Sequence, residues 1–232
     1  MTRFGSWALA LTLAGLFVAA PPLRADAPPE AGWVRLFDGK DLDGWVQKGG
    51  KAKYRVEDGS IVGTTVPNTG NSFLCTAKDY GNFILELEFR VQDGLNSGVQ
   101  VRSHCFDKGQ TLHLDGKAIK VPAGRVHGYQ VEIDPSARAW TGGIYDEGRR
   151  GWLNDLKNNE PARKAFRHDA WNTFRIECRG DSLKTWLNDV PAADLHDSVS
   201  PTGFIALQVH AVGKREDPLE VRWRNIRIKE RK

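Results

Sequence analysis

The chain has 232 residues, with 33 Lys and Arg against 29 Asp and Glu and a formal net charge of +4. Opposite charges are mixed along its whole length and no dense basic block carries interleaved aromatics, so nothing supports nucleic acid as a partner. Three cysteines, Cys75, Cys105 and Cys178, match no zinc spacing and allow at most one disulfide. The fold must therefore rest on a hydrophobic core rather than on staples.

Met1-Thr2-Arg3 followed by an apolar run from Trp7 to Ala20 has the form of a charged start and a hydrophobic segment too short to span a bilayer comfortably. Ala25-Asp26-Ala27 fits a small-x-small cleavage site, which predicts a signal peptide over 1–27 and a single mature domain over 28–232. The mature protein is expected to be exported, to the periplasm or the extracellular space, with no membrane association after cleavage.

Beyond a Pro-rich stretch ending near Pro29, short alternating runs broken by Gly, Asn, Asp and Pro predict an all-β chain. Phe83, Leu85, Leu87, Phe89 and Val91 alternate with more polar residues, as do Val99 and Val101, Val131 and Ile133, and Ile205, Leu207 and Val209. Phe174–Arg179 and Leu183–Leu187, joined by Gly180-Asp181, predict a hairpin. Val221–Ile228 reads as a last strand whose phase slips at Asn225, as at a bulge. Helix is expected only as a turn near Pro161 to Phe166. The sequence reads 106–125 and 142–166 as long loops, the latter lying over a cleft with Trp140, Tyr145 and Trp152. Strands with one apolar face each predict two antiparallel sheets packed face to face, with wet faces outward.

Candidate chemistry gathers in Gly128–Pro135. Strand alternation puts Gln130, Glu132 and Asp134 on one face, with Val131 and Ile133 inward. Two carboxylates spaced in this way, roughly 7 Å apart along the backbone, can take opposite protonation states. A solvated strand face or a calcium-ligand pair is the plainer alternative. The same parity puts Gln100 with Arg102 and Gln208 with His210 on wet faces, giving a planar, forked hydrogen-bonding set suited to sugar hydroxyls and carbonyls.

Other residues admit two readings. His104, His113 and His127 lie close in sequence but lack metal-ligand spacing. Cys178 reads as a small buried hydrophobe, and Cys75 with Cys105 is the one pair to consider for a disulfide. Trp33, Trp45, Trp171 and Trp223 read as core, whereas Trp140 and Trp152 could stack on a sugar ring.

Several motifs occur in order: Leu36-Phe37-Asp38-Gly39, Val56-Glu57-Asp58-Gly59, Asn96-Ser97-Gly98-Val99-Gln100-Val101-Arg102, Gly128–Asp134, Thr141-Gly142-Gly143-Ile144-Tyr145, Gly203–His210 and Arg224-Asn225-Ile226. Together they resemble the 3-keto-disaccharide hydrolase family over essentially the whole mature chain. The resemblance implies a concanavalin-like jelly roll, and a hydrolase or lyase that cleaves glycosides whose sugar a separate 3-dehydrogenase has first oxidised at carbon 3. It implies an oxidised-sugar or glycan substrate and no resident cofactor, a calcium ion being the alternative to part of the role of Arg102. On this basis Glu132 or His210 is the base and Arg102 stabilises the enolate. Asn96, Gln100, Gln130, Asp134, Tyr145, Trp152 and Gln208 hold the sugar.

Two rivals stand beside it. A retaining endoglucanase with Glu-x-Asp-x-x-Glu on one strand is disfavoured because Ala137 occupies the third position. A lectin-like binding module without catalysis fits the same fold.

Overall fold

The computed structural model describes residues 31–231, so the expected signal peptide over 1–27 lies outside the described residues. In chain order the first strands are β1 (Val34–Arg35), β2 (Trp45–Gly49), β3 (Lys53–Glu57), β4 (Ser60–Thr64), β5 (Ser72–Tyr80), β6 (Phe83–Val91), β7 (Ser97–Cys105), β8 (Gln110–Leu114) and β9 (Lys117–Val121). After them come β10 (Val126–Ile133), β11 (Ile144–Glu147), β12 (Gly151–Asn154), the short helix α1 (Glu160–Arg163), β13 (Asn172–Arg179), β14 (Ser182–Leu187), β15 (Val190–His196), β16 (Gly203–Val209) and β17 (Glu220–Glu230).

They form two antiparallel sheets packed as a sandwich. One runs β15-β14-β13-β6-β17-β4-β3, with β1 beside β17, and the other β12-β11-β10-β7-β16-β5-β2. The apolar members of each alternating run meet between the layers. Leu85, Leu87, Phe89, Phe174, Ile176, Trp223 and Ile228 face Val99, Val101, Val131, Ile133, Ile205 and Leu207 in one buried cluster. Burial of each such side chain contributes about 1.5–3 kcal/mol, which is why the period-2 pattern dictates the layers. The outer face of the first sheet carries ion pairs, Glu86 with Arg175 and Arg227, and Glu88 with Arg224.

The hairpin across Gly180-Asp181 forms as expected, and the last strand shifts register between Arg224 and Arg227, with Asn225 at φ 53°. Two expectations need correction. The stretch read as one loop over 142–166 contains the paired strands β11 and β12, which extend the second sheet. The stretch read as a loop over 106–125 contains the β8–β9 hairpin. Both strand pairs are short, and β8–β9 is largely exposed, so neither has the long apolar alternation that marks a core strand. All three cysteines are free thiols, with Cys75 and Cys178 buried.

One irregularity positions the site. Between the pairs Tyr129↔Val101 and His127↔His104, β7 carries one residue more than β10. This bulge places Arg102 at φ 47° and reverses the parity of β7 beyond it. Gly128 lies opposite, where a Cβ would stand 2.5 Å from Oγ of Ser103.

Candidate active site on the second sheet

Register fixes which side chains share the outer face of the second sheet. One row across the strands reads Trp152, Tyr145, Gln130, Gln100, Ala206, Cys75 and Val46. The next reads Glu132, Gly98, Gln208, Phe73 and Lys48. The face is thus polar around Glu132 on β10 and β11, whereas Phe73 and Cys75 of β5, Phe204 and Ala206 of β16 and Val126 of β10 form a second, apolar cluster.

The polar half is organised around Glu132. Asn96 donates Nδ2–H to its Oε1 at 2.6 Å, and Gln130 donates Nε2–H to its Oε2 at 2.8 Å. Gln130 in turn accepts from Nε2 of Gln100 at 2.7 Å, and Gln100 accepts from the hydroxyl of Ser103 at 2.6 Å. The chain of carboxamides needs Gly98, because a Cβ there would lie 2.5 Å from Cδ of Gln130. Burial pushes Glu132 up to about 7, against the hydrogen bonds from Asn96 and Gln130 that favour its charged form. For Asp134, burial acts upward, but hydrogen bonds from Ser136 and Arg138 outweigh it and hold the group below the ordinary value. Two neighbouring carboxyls are so driven apart, one poised near neutrality and one held ionised.

Arg138, from the β10–β11 turn, is the cation of this site. Its Nε donates to Oδ2 of Asp134 at 2.7 Å, and Nη2 lies 3.5 Å from Oε1 of Glu132. The guanidinium packs over the rings of Trp140 and Trp152, 4.9 and 5.0 Å from their centroids, and stays 41% exposed. Trp152 also meets Tyr145 edge-on. Burial and the charges of Glu147 and Glu132 raise the Tyr145 phenol. Glu147, on the same face of β11, accepts from Arg125 at 2.6 Å. Burial raises it, opposed by Arg125 and His210.

Of the residues named from sequence, Asn96, Gln100, Gln130, Glu132 and Asp134 share this network, flanked by Tyr145 and Trp152. Gln208 lies on the same face, fully buried, and its carboxamide has no hydrogen-bond partner among the described residues. His210 follows the end of β16. Its Nδ1 faces the carbonyl of Ala211 at 2.8 Å, and Glu147 is the cleft carboxyl that feels it. Arg102 is the correction. The bulge turns it away from the cleft, and its guanidinium binds the carbonyls of Gly81 and Gly180 at 2.8 and 2.7 Å and Oδ1 of Asn82 at 3.2 Å. It ties β7 to the β5–β6 connection between the sheets and to the β13–β14 turn of the first. Sequence reasoning missed Arg138, Ser103 and Glu147. The Tyr145/Glu147 alternation was a signal for the last, obscured by the short strand.

Among the described residues no three His, Cys, Asp or Glu side chains cluster as a metal site, and the Glu132/Asp134 pair suggested for calcium is bridged by Arg138.

The fold is of the galectin-like, jelly-roll class of two-sheet antiparallel sandwiches. A protein of unknown function with a galectin-like fold from Bacillus subtilis superposes with a TM-score of 0.57 at 13% identity, covering 83% of this chain and 90% of that one. A carbohydrate-binding module, CBM66, also from Bacillus subtilis, gives 0.55 at 19% identity, covering 81% and 96%. Within that class, the chain belongs to the 3-keto-α-glucoside-1,2-lyase-like domain family, which matches residues 32–229. The 3-keto-disaccharide hydrolase of Bacteroides thetaiotaomicron is 34% identical over 86 residues, 34% of this chain and 28% of that relative. The match therefore spans under a third of the curated relative's length.

Proposed function

We propose that the protein cleaves glycosides whose sugar carries a ketone at carbon 3, by elimination followed by hydration. The ketone acidifies the hydrogen on carbon 2. Glu132 removes that proton, and the electron pair moves toward the carbonyl oxygen as an enolate, which Arg138 stabilises in the role first expected of Arg102. Collapse of the enolate expels the oxygen on carbon 1, which takes up a proton and leaves as the alcohol. Water then adds across the new carbon 1–carbon 2 double bond, returning the proton to carbon 2 and giving net hydrolysis. Asn96, Tyr145 and Trp152, which keep exposed surface, orient the sugar, the buried Gln130, Gln100, Asp134 and Gln208 form the polar floor around Glu132, and His210 is the alternative base.

The observation that carries this reading is the buried Glu132 carboxyl, poised near 7 and flanked by an exposed guanidinium. Family membership supports it independently. The substrate's ketone requires a separate sugar 3-dehydrogenase acting first, and an exported location fits the apolar N-terminal segment.

The test is a paired incubation of the purified protein with a 3-keto-glucoside and its unoxidised parent. Aglycone release from the keto compound alone is the expected result. Saturable binding of sugar with release from neither would instead establish a lectin-like module, the reading with which the solved carbohydrate-binding module is consistent.

A further inference from the structure

The elimination needs a proton for the departing oxygen on carbon 1, and the groups around Glu132 stand in an order that can supply it. Three levels follow one another along β10. Tyr145 pairs with Gln130, Glu132 lies two residues on with its amide bonded to the carbonyl of Gly143, and Asp134, two residues further, holds Arg138. Each level is roughly 7 Å from the next. A 3-keto-glycoside presents its reacting centres in a matching sequence: the oxygen on carbon 1, the hydrogen on carbon 2 and the oxygen on carbon 3. With Glu132 at carbon 2 and Arg138 at the ketone oxygen, carbon 1 falls on the side of Tyr145. Diagonal neighbours on adjacent strands, as Tyr145 and Glu132 are, stand roughly 7–8 Å apart, within reach of an aromatic and a long side chain. Tyr145 is half-buried and meets Trp152 edge-on, with centroids 5.3 Å apart. The indole of Trp152 also covers Gly143, where a Cβ would stand 3.1 Å from Cζ3. It is thus the surface between phenol and carboxyl on which a sugar ring can rest. The bonds that run from Ser103 to Glu132 leave the Tyr145 hydroxyl out. Burial and the charges of Glu147 and Glu132 raise the phenol, so near neutral pH it keeps the proton it would donate.

We propose that Tyr145 is the general acid of the reaction, its phenol giving a proton to the oxygen on carbon 1 as the bond from carbon 1 to that oxygen breaks. The inference rests on the function proposed above and adds a catalytic residue to it. In the elimination Glu132 takes the proton from carbon 2, the electron pair forms the carbon 1–carbon 2 double bond, and Tyr145 becomes a phenolate as the alcohol leaves. In the hydration the phenolate takes a proton from water while the water oxygen bonds to carbon 1. The protonated Glu132 then returns its proton to carbon 2. Both residues end as they began, and one water is consumed.

The experiment compares the full chain with Tyr145→Phe on two substrates, methyl 3-keto-glucoside and 4-nitrophenyl 3-keto-glucoside. Methoxide leaves only with a proton, whereas 4-nitrophenoxide leaves without one. Release of the alcohol is followed alongside exchange of the carbon 2 hydrogen for deuterium in heavy water, which reports Glu132 and Arg138 without the leaving step. Tyr145→Phe is expected to slow methanol release by roughly a hundredfold or more. It should barely affect nitrophenol release and should keep the exchange at carbon 2. Equal slowing on both substrates with exchange lost overturns the proposal, because Tyr145 then only places the sugar. So does a wild-type rate of methanol release. A wild-type chain that neither exchanges nor releases sinks the elimination itself and the acid with it, whereas a wild type that does both beside a variant without the expected pattern sinks Tyr145 alone.

Discussion

Gly98 and Gln130 occupy the same space: a methyl group on Gly98 would stand 2.5 Å from Cδ of Gln130. The missing side chain on β7 lets a carboxamide from β10 lie against the sheet and donate to Glu132. Gly98→Ala is therefore expected to displace Gln130 and lower kcat/KM on a 3-keto-glucoside by roughly tenfold or more. Overpacking of one methyl costs only about 1–3 kcal/mol of stability. A variant with the wild-type rate would show that Gln130 does not orient the base.

Glu132→Gln is expected to abolish turnover while the chain still folds. Its effect on stability depends on pH with a definite sign. A carboxyl whose folded pKa is raised from 4.5 to about 7 stabilises the fold fully only below the lower value, and that contribution is lost as pH rises through the upper one. Relative to Glu132→Gln, the wild type should lose about 3 kcal/mol between roughly pH 4 and pH 8. Wild-type activity should rise through about pH 7 as the base ionises. Denaturant melts at several pH values check the first statement and a pH–rate profile the second. A stability difference that is flat with pH would remove Glu132 as a buried titrating group.

The two arginines should separate cleanly. Arg138→Lys loses the fork that reaches both Glu132 and Asp134, so kcat should fall by roughly ten- to a hundredfold with little change in Tm. Arg102→Lys instead breaks charge-assisted, partly buried bonds to carbonyls of two turns, and should cost about 1–3 kcal/mol of stability with turnover per folded molecule retained. If Arg102→Lys were inactive yet as stable as the wild type, the assignment of the two roles would be reversed.

Val131→Asp puts a carboxylate between the two sheets at a position with no solvent access. Soluble expression should be lost. A folded Val131→Asp protein by circular dichroism would mean that the strand faces the other way.

These variants also mark how far the sequence could be read. Parity is legible wherever a strand is regular, which is why Gln100, Gln130 and Glu132 group on one face from the sequence alone. It failed at Arg102 because one inserted residue in β7 inverts the face, and a bulge of that kind leaves no mark in hydrophobic alternation. Arg138 was invisible for a different reason. It lies on a turn, where side-chain direction follows from local backbone geometry, here including Ala139 at φ 54°, rather than from any period. Glu147 sat in a strand only four residues long, too short to show a rhythm.

The wall of the cleft has a hidden fastening. Asp146, between Tyr145 and Glu147 but facing inward, is fully buried and held by Arg149 and Arg150. Arg150 also pairs with Asp197, which accepts from Tyr129 as well. Burial works upward on Asp197, yet the bonds from Arg150 and Tyr129 keep its pKa below the ordinary value. A substrate must then adapt to a jaw whose one side is bolted from behind. The opposite margin of this sheet is the edge strand β2, which carries Val46 and Lys48.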